Sequence, residues 1–227
     1  MIWTRATRPG GFPGARGAFP GQPGGLLQPA FEFARLLREP VYWGWGVPRG
    51  DGHAVLVLPG LGADDAYLRP LRGWLRRVGY TTLRSGISRN PGLSEQLIAE
   101  LGERVEAAYR RSGRRVSIIG HSMGGAQARA IARRHPDAVR HVITLGSPIV
   151  TSRPLPETVR VSAIASADDR IVRAPAAVAR DPHAQNLTVR GSHSGLAVNA
   201  SVYRRLARLL AAGEGDTGQY ESAPEYL

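Results

Sequence analysis

A serine hydroxyl is a poor nucleophile until a neighbouring base removes its proton. Ser122 stands where such activation is expected, in Gly120-His121-Ser122-Met123-Gly124-Gly125. The pattern G-x-S-x-G presents a serine on a sharp turn between a strand and a helix. Glycine is needed at 120 and 124 because side chains there would collide with the adjoining strand and helix. Imidazole suits the base, since it gains and loses a proton near neutrality. Of the six histidines, His193 alone follows the last predicted strand and precedes the last helix. His53, His135 and His141 fall at the wrong ends of elements, and His183 lies in an Asp-Pro-His turn. His121 adjoins the serine, but neighbouring side chains diverge on such a turn. It is expected to pack against the sheet or flank the site. A carboxylate must then hold the imidazole in one tautomer, and Asp168 and Asp169 compete for that role. Asp169 is preferred, because Ile171-Val172 would anchor its loop beneath the histidine. Asp168 would then face solvent or cap the following turn. Donors for a developing oxyanion are expected from the backbone N–H groups of Met123 and of Leu61, which follows Pro59-Gly60.

The elements that must position these residues are legible in the pattern. Ala54 to Leu58 is a continuous apolar run, as a buried parallel strand should be. Further strands are expected at Tyr80–Leu83, Val116–Ile119, Val142–Leu145, Val159–Ala165 and Leu187–Val189. Between them, helical spacing carries Tyr67 to Val78 (capped by Asp64), Leu93 to Ala108, and Ala126 to Arg134. A short helix is expected from Pro29 to Arg38 and a closing one from Leu196 to Ala212. Trp43-Gly44-Trp45-Gly46 is expected to cover one edge of the core. Alternating strands and helices predict an α/β fold, a doubly wound and mostly parallel sheet with helices on both faces. Right-handed crossovers put every strand's C-terminal end on one edge. Leu61, Ser122, Asp169 and His193 each fall just past such an end, so one rim should collect them all.

Composition narrows the remaining choices. The 227 residues allow one domain with a substantial core, expected over 26–212. The Pro/Gly-rich stretch 1–25 and the acidic tail 213–227 are expected to be disordered. Without cysteine there is no disulfide, no thiolate metal site and no thiol nucleophile. All 30 basic residues are arginine, a mark of a GC-rich coding genome, and they give a net charge of +12. They fall in helix-sized groups such as Arg129, Arg133 and Arg134, which reads as solvated helix faces. Nucleic acid is therefore not expected as a partner. No run approaches the roughly 20 apolar residues a membrane-spanning helix needs, and no signal peptide is evident. The expectation is a cytoplasmic protein.

The chain resembles the α/β-hydrolase family, in particular small bacterial lipase- and esterase-like serine hydrolases. The resemblance covers about residues 50–212. It rests on Val57-Leu58-Pro59-Gly60-Leu61-Gly62, the Gly120–Gly125 segment, Gly146-Ser147-Pro148, Asp169-Arg170-Ile171-Val172 and His193-Ser194-Gly195-Leu196. The order Ser122, Asp169, His193 is the order of that fold. It implies hydrolysis of a small ester or lipid-like substrate through an acyl-enzyme on Ser122, with neither cofactor nor metal. Many relatives insert a helical lid before the strand that precedes the acid. The short connection here predicts a minimal or absent lid. An acyltransferase, thioesterase or perhydrolase could use the same residues, and a non-catalytic binding protein is the remaining alternative.

Overall fold

The computed structural model describes residues 27–149 and 153–212, so the stretches 1–25 and 213–227 that the composition singles out lie outside the described residues. Six strands form one sheet: β1 Ala54–Leu58, β2 Thr81–Leu83, β3 Val116–His121, β4 Val139–Leu145, β5 Arg160–Ser166 and β6 Gln185–Val189. Every adjacent pair is parallel, in the order β2-β1-β3-β4-β5-β6. Among the described residues five helices flank it: α1 Leu27–Leu36, α2 Arg69–Val78, α3 Glu95–Ser112, α4 Met123–Arg134 and α5 Ala200–Ala211.

Two apolar layers follow from the two-residue period of the strands. Val55, Val57, Ile119, Ile143 and Leu145 point to the side covered by α1, α2 and α5. Ala54, Leu56, Leu58, Ile118 and Val142 point to the side covered by α3 and α4. Both faces are buried under helices, which is why these strands read as apolar runs and not as alternating ones. Trp74 of α2 is wholly buried, packs tilted against Tyr203 of α5 with ring centroids 4.7 Å apart, and donates its indole N–H to the Val41 carbonyl. A buried indole needs such an acceptor.

Four expectations about elements need correction. Helix α2 begins at Arg69, and Asp64 caps an isolated turn before it by accepting from the Tyr67 N–H at 3.0 Å. The C-terminal helix is not continuous from Leu196. A 3-10 turn over Ser194–Val198 ends at Asn199, whose side chain accepts from Ser201 and Val202 N–H and starts α5 afresh. Trp43 and Trp45 do not cover the core, since they are 48% and 71% exposed. A 3-10 turn from Pro40 buries Val41 and Tyr42 in their place. Finally, Ile171 is 46% exposed and anchors nothing with its side chain.

Candidate active site

Ser122 sits between β3 and α4 with φ 51° and ψ −123°, a region that side-chain-bearing residues rarely adopt. The surroundings over-determine it. Its N–H donates to the Leu145 carbonyl at 2.9 Å, and its carbonyl accepts from Gly125 N–H at 2.9 Å. A Cβ on Gly120 would overlap the Gly124 carbonyl, and one on Gly124 would overlap the Leu58 carbonyl and lie 2.7 Å from that of Pro59. One on Gly125 would overlap Ser147. Backbone cannot step aside as a side-chain tip can, so 120 and 124 must be glycine.

His193 and Asp169 reach the same rim from the ends of β6 and β5. His193 Nδ1–H donates to Asp169 Oδ2 at 2.6 Å, and the Asp169 side chain is fully buried. The other carboxylate oxygen, Oδ1, accepts from the N–H groups of Ile171 at 2.8 Å and Val172 at 2.9 Å. The apolar pair thus serves through its backbone. Burial alone would raise the Asp169 carboxyl, but the bond from His193 and these two N–H groups outweigh it and hold the group below its ordinary value. Asp168 is half-exposed and turned away, accepting from Gly191 N–H at 3.1 Å. The carboxylate in contact with His193 is that of Asp169.

The two segments expected to carry oxyanion donors come close to the serine. Met123 opens α4, so its N–H has no acceptor within the helix. The Pro59–Leu61 turn passes close enough that a Cβ on Gly60 would lie 3.2 Å from Ser122 Cβ. A fully buried amide pair fixes this turn. Asn90 donates to the Pro59 carbonyl at 2.7 Å and to Gln127 Oε1 at 3.0 Å, while Gln127 donates back to Asn90 Oδ1 at 2.8 Å and to the Gly92 carbonyl. Sequence reasoning missed both amides. Asn90 stands far from the serine in sequence, and Gln127, five residues after it on α4, carries no local sign of its partner, although Asn90-Pro91-Gly92 is itself a turn signal.

His121 flanks the site, as expected, and holds the histidine loop. Its Nε2–H donates to the His193 carbonyl at 2.9 Å, and its ring lies 5.0 Å from that of His193 and 5.5 Å from that of Tyr67. A carbonyl only accepts, so Nε2 must carry the proton and the buried Nδ1 is left without a partner. Burial first, then the nearby His193, lower the His121 pKa to about 4. The unfolded ring takes up a proton near 6.5, which the folded ring refuses until about pH 4. Stability present above pH 6.5 is therefore lost as pH falls through this window, by about 3 kcal/mol from this ring. His141, also buried and lowered, acts in the same direction. His121→Gln, which retains an N–H donor, should reduce the slope of urea-unfolding free energy between pH 4 and 6.5. A slope equal to that of the wild type would mean that the ring is already charged in the fold.

A second Ser–His–Asp contact set lies at the opposite end of the sheet. His53 is 2.6 Å from Asp51 Oδ1 through Nδ1 and 3.0 Å from Ser117 Oγ through Nε2. Ser117 is 1% exposed at the start of β3, with no turn or helix N-terminus beside it. No substrate carbonyl could reach that oxygen. The cluster ties the buried ends of strands together, and Asp51 is further engaged by Arg114 and Arg140.

The connection over residues 146–159 contains no helix among its described residues. Arg129, expected on a solvated helix face, is instead buried in an ion pair that ties the segment after β5 to α4: it meets Asp181 at 2.8 and 3.0 Å, with Asp181 also accepting from Leu155 N–H. Among the described residues no helix is long and apolar enough to cross a membrane, and no three His, Asp or Glu side chains are grouped to hold a metal ion.

Comparison with known proteins agrees with this fold. The family model "Esterase: Putative esterase" matches residues 73–214, the span that contains Ser122, Asp169 and His193. No curated protein matches the chain. Among solved structures, a lipase-esterase related protein from Clostridium acetobutylicum is 14% identical with a TM-score of 0.58, covering 72% of this chain and 97% of its own. A lipase from Bacillus licheniformis is 16% identical with a TM-score of 0.58, covering 73% and 94%. A serine hydrolase described as lidless, from Xanthomonas campestris, is 16% identical with a TM-score of 0.51, covering 74% and 88%. At such identities the likeness is one of fold, and the fold of this chain is the α/β-hydrolase fold. With the family model spanning more than half of its length, this chain belongs to the Esterase family and is a carboxylic ester hydrolase.

Proposed function

We propose that the chain cleaves esters through an acyl-enzyme on Ser122, with His193 as general base, Asp169 as its orienting carboxylate, and the N–H groups of Leu61 and Met123 as the oxyanion donors. The observation that carries this reading is the 2.6 Å His193–Asp169 pair on the same sheet edge as a strained serine. With Nδ1 committed to Asp169, the bare Nε2 takes the Ser122 proton as Oγ bonds to the ester carbon. The carbonyl electrons move onto oxygen, where the two N–H groups stabilise the charge. His193 then returns the proton to the departing alkoxide as the C–O bond breaks. Water repeats the sequence: it attacks the acyl carbon, His193 accepts its proton, and Ser122 regains one as the acid leaves.

A small-molecule ester or a lipid-like one suits the surroundings. Leu61 lies against Gly92, and the exposed Leu61 and Leu93 give the rim an apolar lip for an acyl chain. A short connection over 146–159, with no helix among its described residues, favours an open rim and freely dissolved esters over aggregated lipid. A fluorophosphonate probe should add to Ser122 and be located there by peptide mass, and p-nitrophenyl esters of increasing chain length should be hydrolysed. Folded protein that neither takes the probe nor turns over any ester would refute the proposal. Competing alcohols, thiols or peroxide in the same assay separate hydrolysis from acyl transfer by their products.

A further inference from the structure

The loop that carries His193 is held from outside the segment matched by the family model. Glu32 lies on α1, upstream of residue 73 where that match begins. Its Oε2 accepts from Ser192 Oγ–H at 2.8 Å, and Oε1 accepts from Ser192 N–H at 3.3 Å. Ser192 Oγ in turn accepts from Gly195 N–H at 3.0 Å, so carboxylate, hydroxyl and amide form one relay around His193. Gly195 is fitted to this partner, since a Cβ there would overlap the Glu32 carboxylate. Tyr67 closes the same loop by donating to the Ser194 carbonyl at 2.6 Å. Burial, and secondly the charge of Glu32, hold the Tyr67 phenol well above its ordinary value, so it stays a donor. His121 and Asp169 grip His193 from the sheet side. Helix α1 adds its grip through Glu32.

We infer that Glu32 is a positioning residue for His193, making helix α1 part of the working site. The inference rests on His193 being the general base proposed above. Bonds that fix residues 192 and 195 set the backbone on either side of the ring, and so the direction in which Nε2 points. A displacement of about 1 Å in a reacting group can cost a hundredfold in rate. Acting through Ser192 and not on substrate, Glu32 should leave KM nearly unchanged.

Steady-state kinetics of the full chain on a p-nitrophenyl ester test this. Glu32→Ala should lower kcat by about 30-fold to 100-fold with KM changed less than about threefold. Glu32→Gln keeps an acceptor for the Ser192 hydroxyl and should restore most of the rate. Gly195→Ala, which drives the carboxylate off, should fall to the level of Glu32→Ala. The double variant Glu32→Ala/Gly195→Ala should be no slower than either single one, because the same relay is already broken. Should Glu32→Ala fail to fold, Ser192→Ala removes the bridging hydroxyl without touching α1 and carries the same expectation. Wild-type kcat in folded Glu32→Ala, or losses that multiply in the double variant, would overturn the inference while leaving the acyl-enzyme intact. Wild type that neither labels with fluorophosphonate nor turns over would remove the reading on which it rests.

Discussion

Replacing Ser122 with alanine is expected to lower ester turnover by about a million-fold, the scale on which a serine nucleophile and its base act as a unit. What remains should be the modest acceleration that the oxyanion donors and binding supply alone. The fold should survive. Alanine fits the half-buried position, and the elbow is held by backbone bonds from Leu145 and Gly125 that do not involve the hydroxyl. A second substitution separates chemistry from strain. At φ 51° a side chain costs on the order of 1–3 kcal/mol, which glycine would not incur. Glycine's own entropic cost of about 0.5–1 kcal/mol subtracts from the gain. Ser122→Gly should therefore be inactive and yet about 1 kcal/mol more stable than wild type, whereas Ser122→Ala keeps the strain and the wild-type stability. Chemical denaturation followed by circular dichroism reads the difference. Residual turnover above about one per cent in Ser122→Ala would place the nucleophile elsewhere. A destabilised glycine variant would mean that the elbow stores no strain.

That position was open to sequence reasoning because its signals are local. A buried strand, glycines at 120, 124 and 125, and a helix of small residues occupy about ten consecutive positions, and each constrains the same turn. His193 and Asp169 were also reachable, because parallel strands joined by right-handed crossovers carry every strand's C-terminal end to one edge. Choosing Asp169 over Asp168 agreed with the contact to His193, but for a different physical reason. The neighbouring Ile171 and Val172 matter for their N–H groups, and a hydrophobic reading cannot see those.

Residues that support the site from a distance left no such trace. Glu32 acts 160 positions from Ser192, Tyr67 acts 127 from Ser194, and Gln127 acts 37 from Asn90. Nothing in the local composition of a glutamate on a short helix announces that partner. The break before α5 is a different kind of miss, because Asn199 ahead of an apolar helix is a readable cap. Hydrophobic spacing that continued from Leu196 into the helix overrode it. Exposure of Trp43 and Trp45 misled for a related reason. Aromatic bulk predicts burial on average, but the turn from Pro40 gives the inward positions to Val41 and Tyr42.

Asp169→Asn should cost about 10⁴-fold in kcat, and the hydrogen bonds around the carboxylate explain why so conservative a change is so damaging. Oδ1 accepts from two backbone N–H groups, at 2.8 and 2.9 Å, so after substitution the amide oxygen must remain on that side. The amide nitrogen is then forced into the Oδ2 position, 2.6 Å from His193 Nδ1. It is a donor and requires an acceptor there, so the His193 proton moves to Nε2, the atom that must receive the proton of Ser122. The loop stays in place while the base is lost. Asp168→Asn meets none of these conditions. Its side chain is 48% exposed, its carboxylate accepts one bond from Gly191 that an amide oxygen can equally accept, and Arg190 at 3.8 Å is a solvated partner worth little. A change of less than about threefold is expected. Comparing kcat for the two variants, each checked for a wild-type circular dichroism spectrum, decides between the neighbouring carboxylates. Equal losses would show that Asp169 does not set the tautomer. A larger loss at Asp168 would mean that the loop rearranges during turnover to bring the other carboxylate to His193.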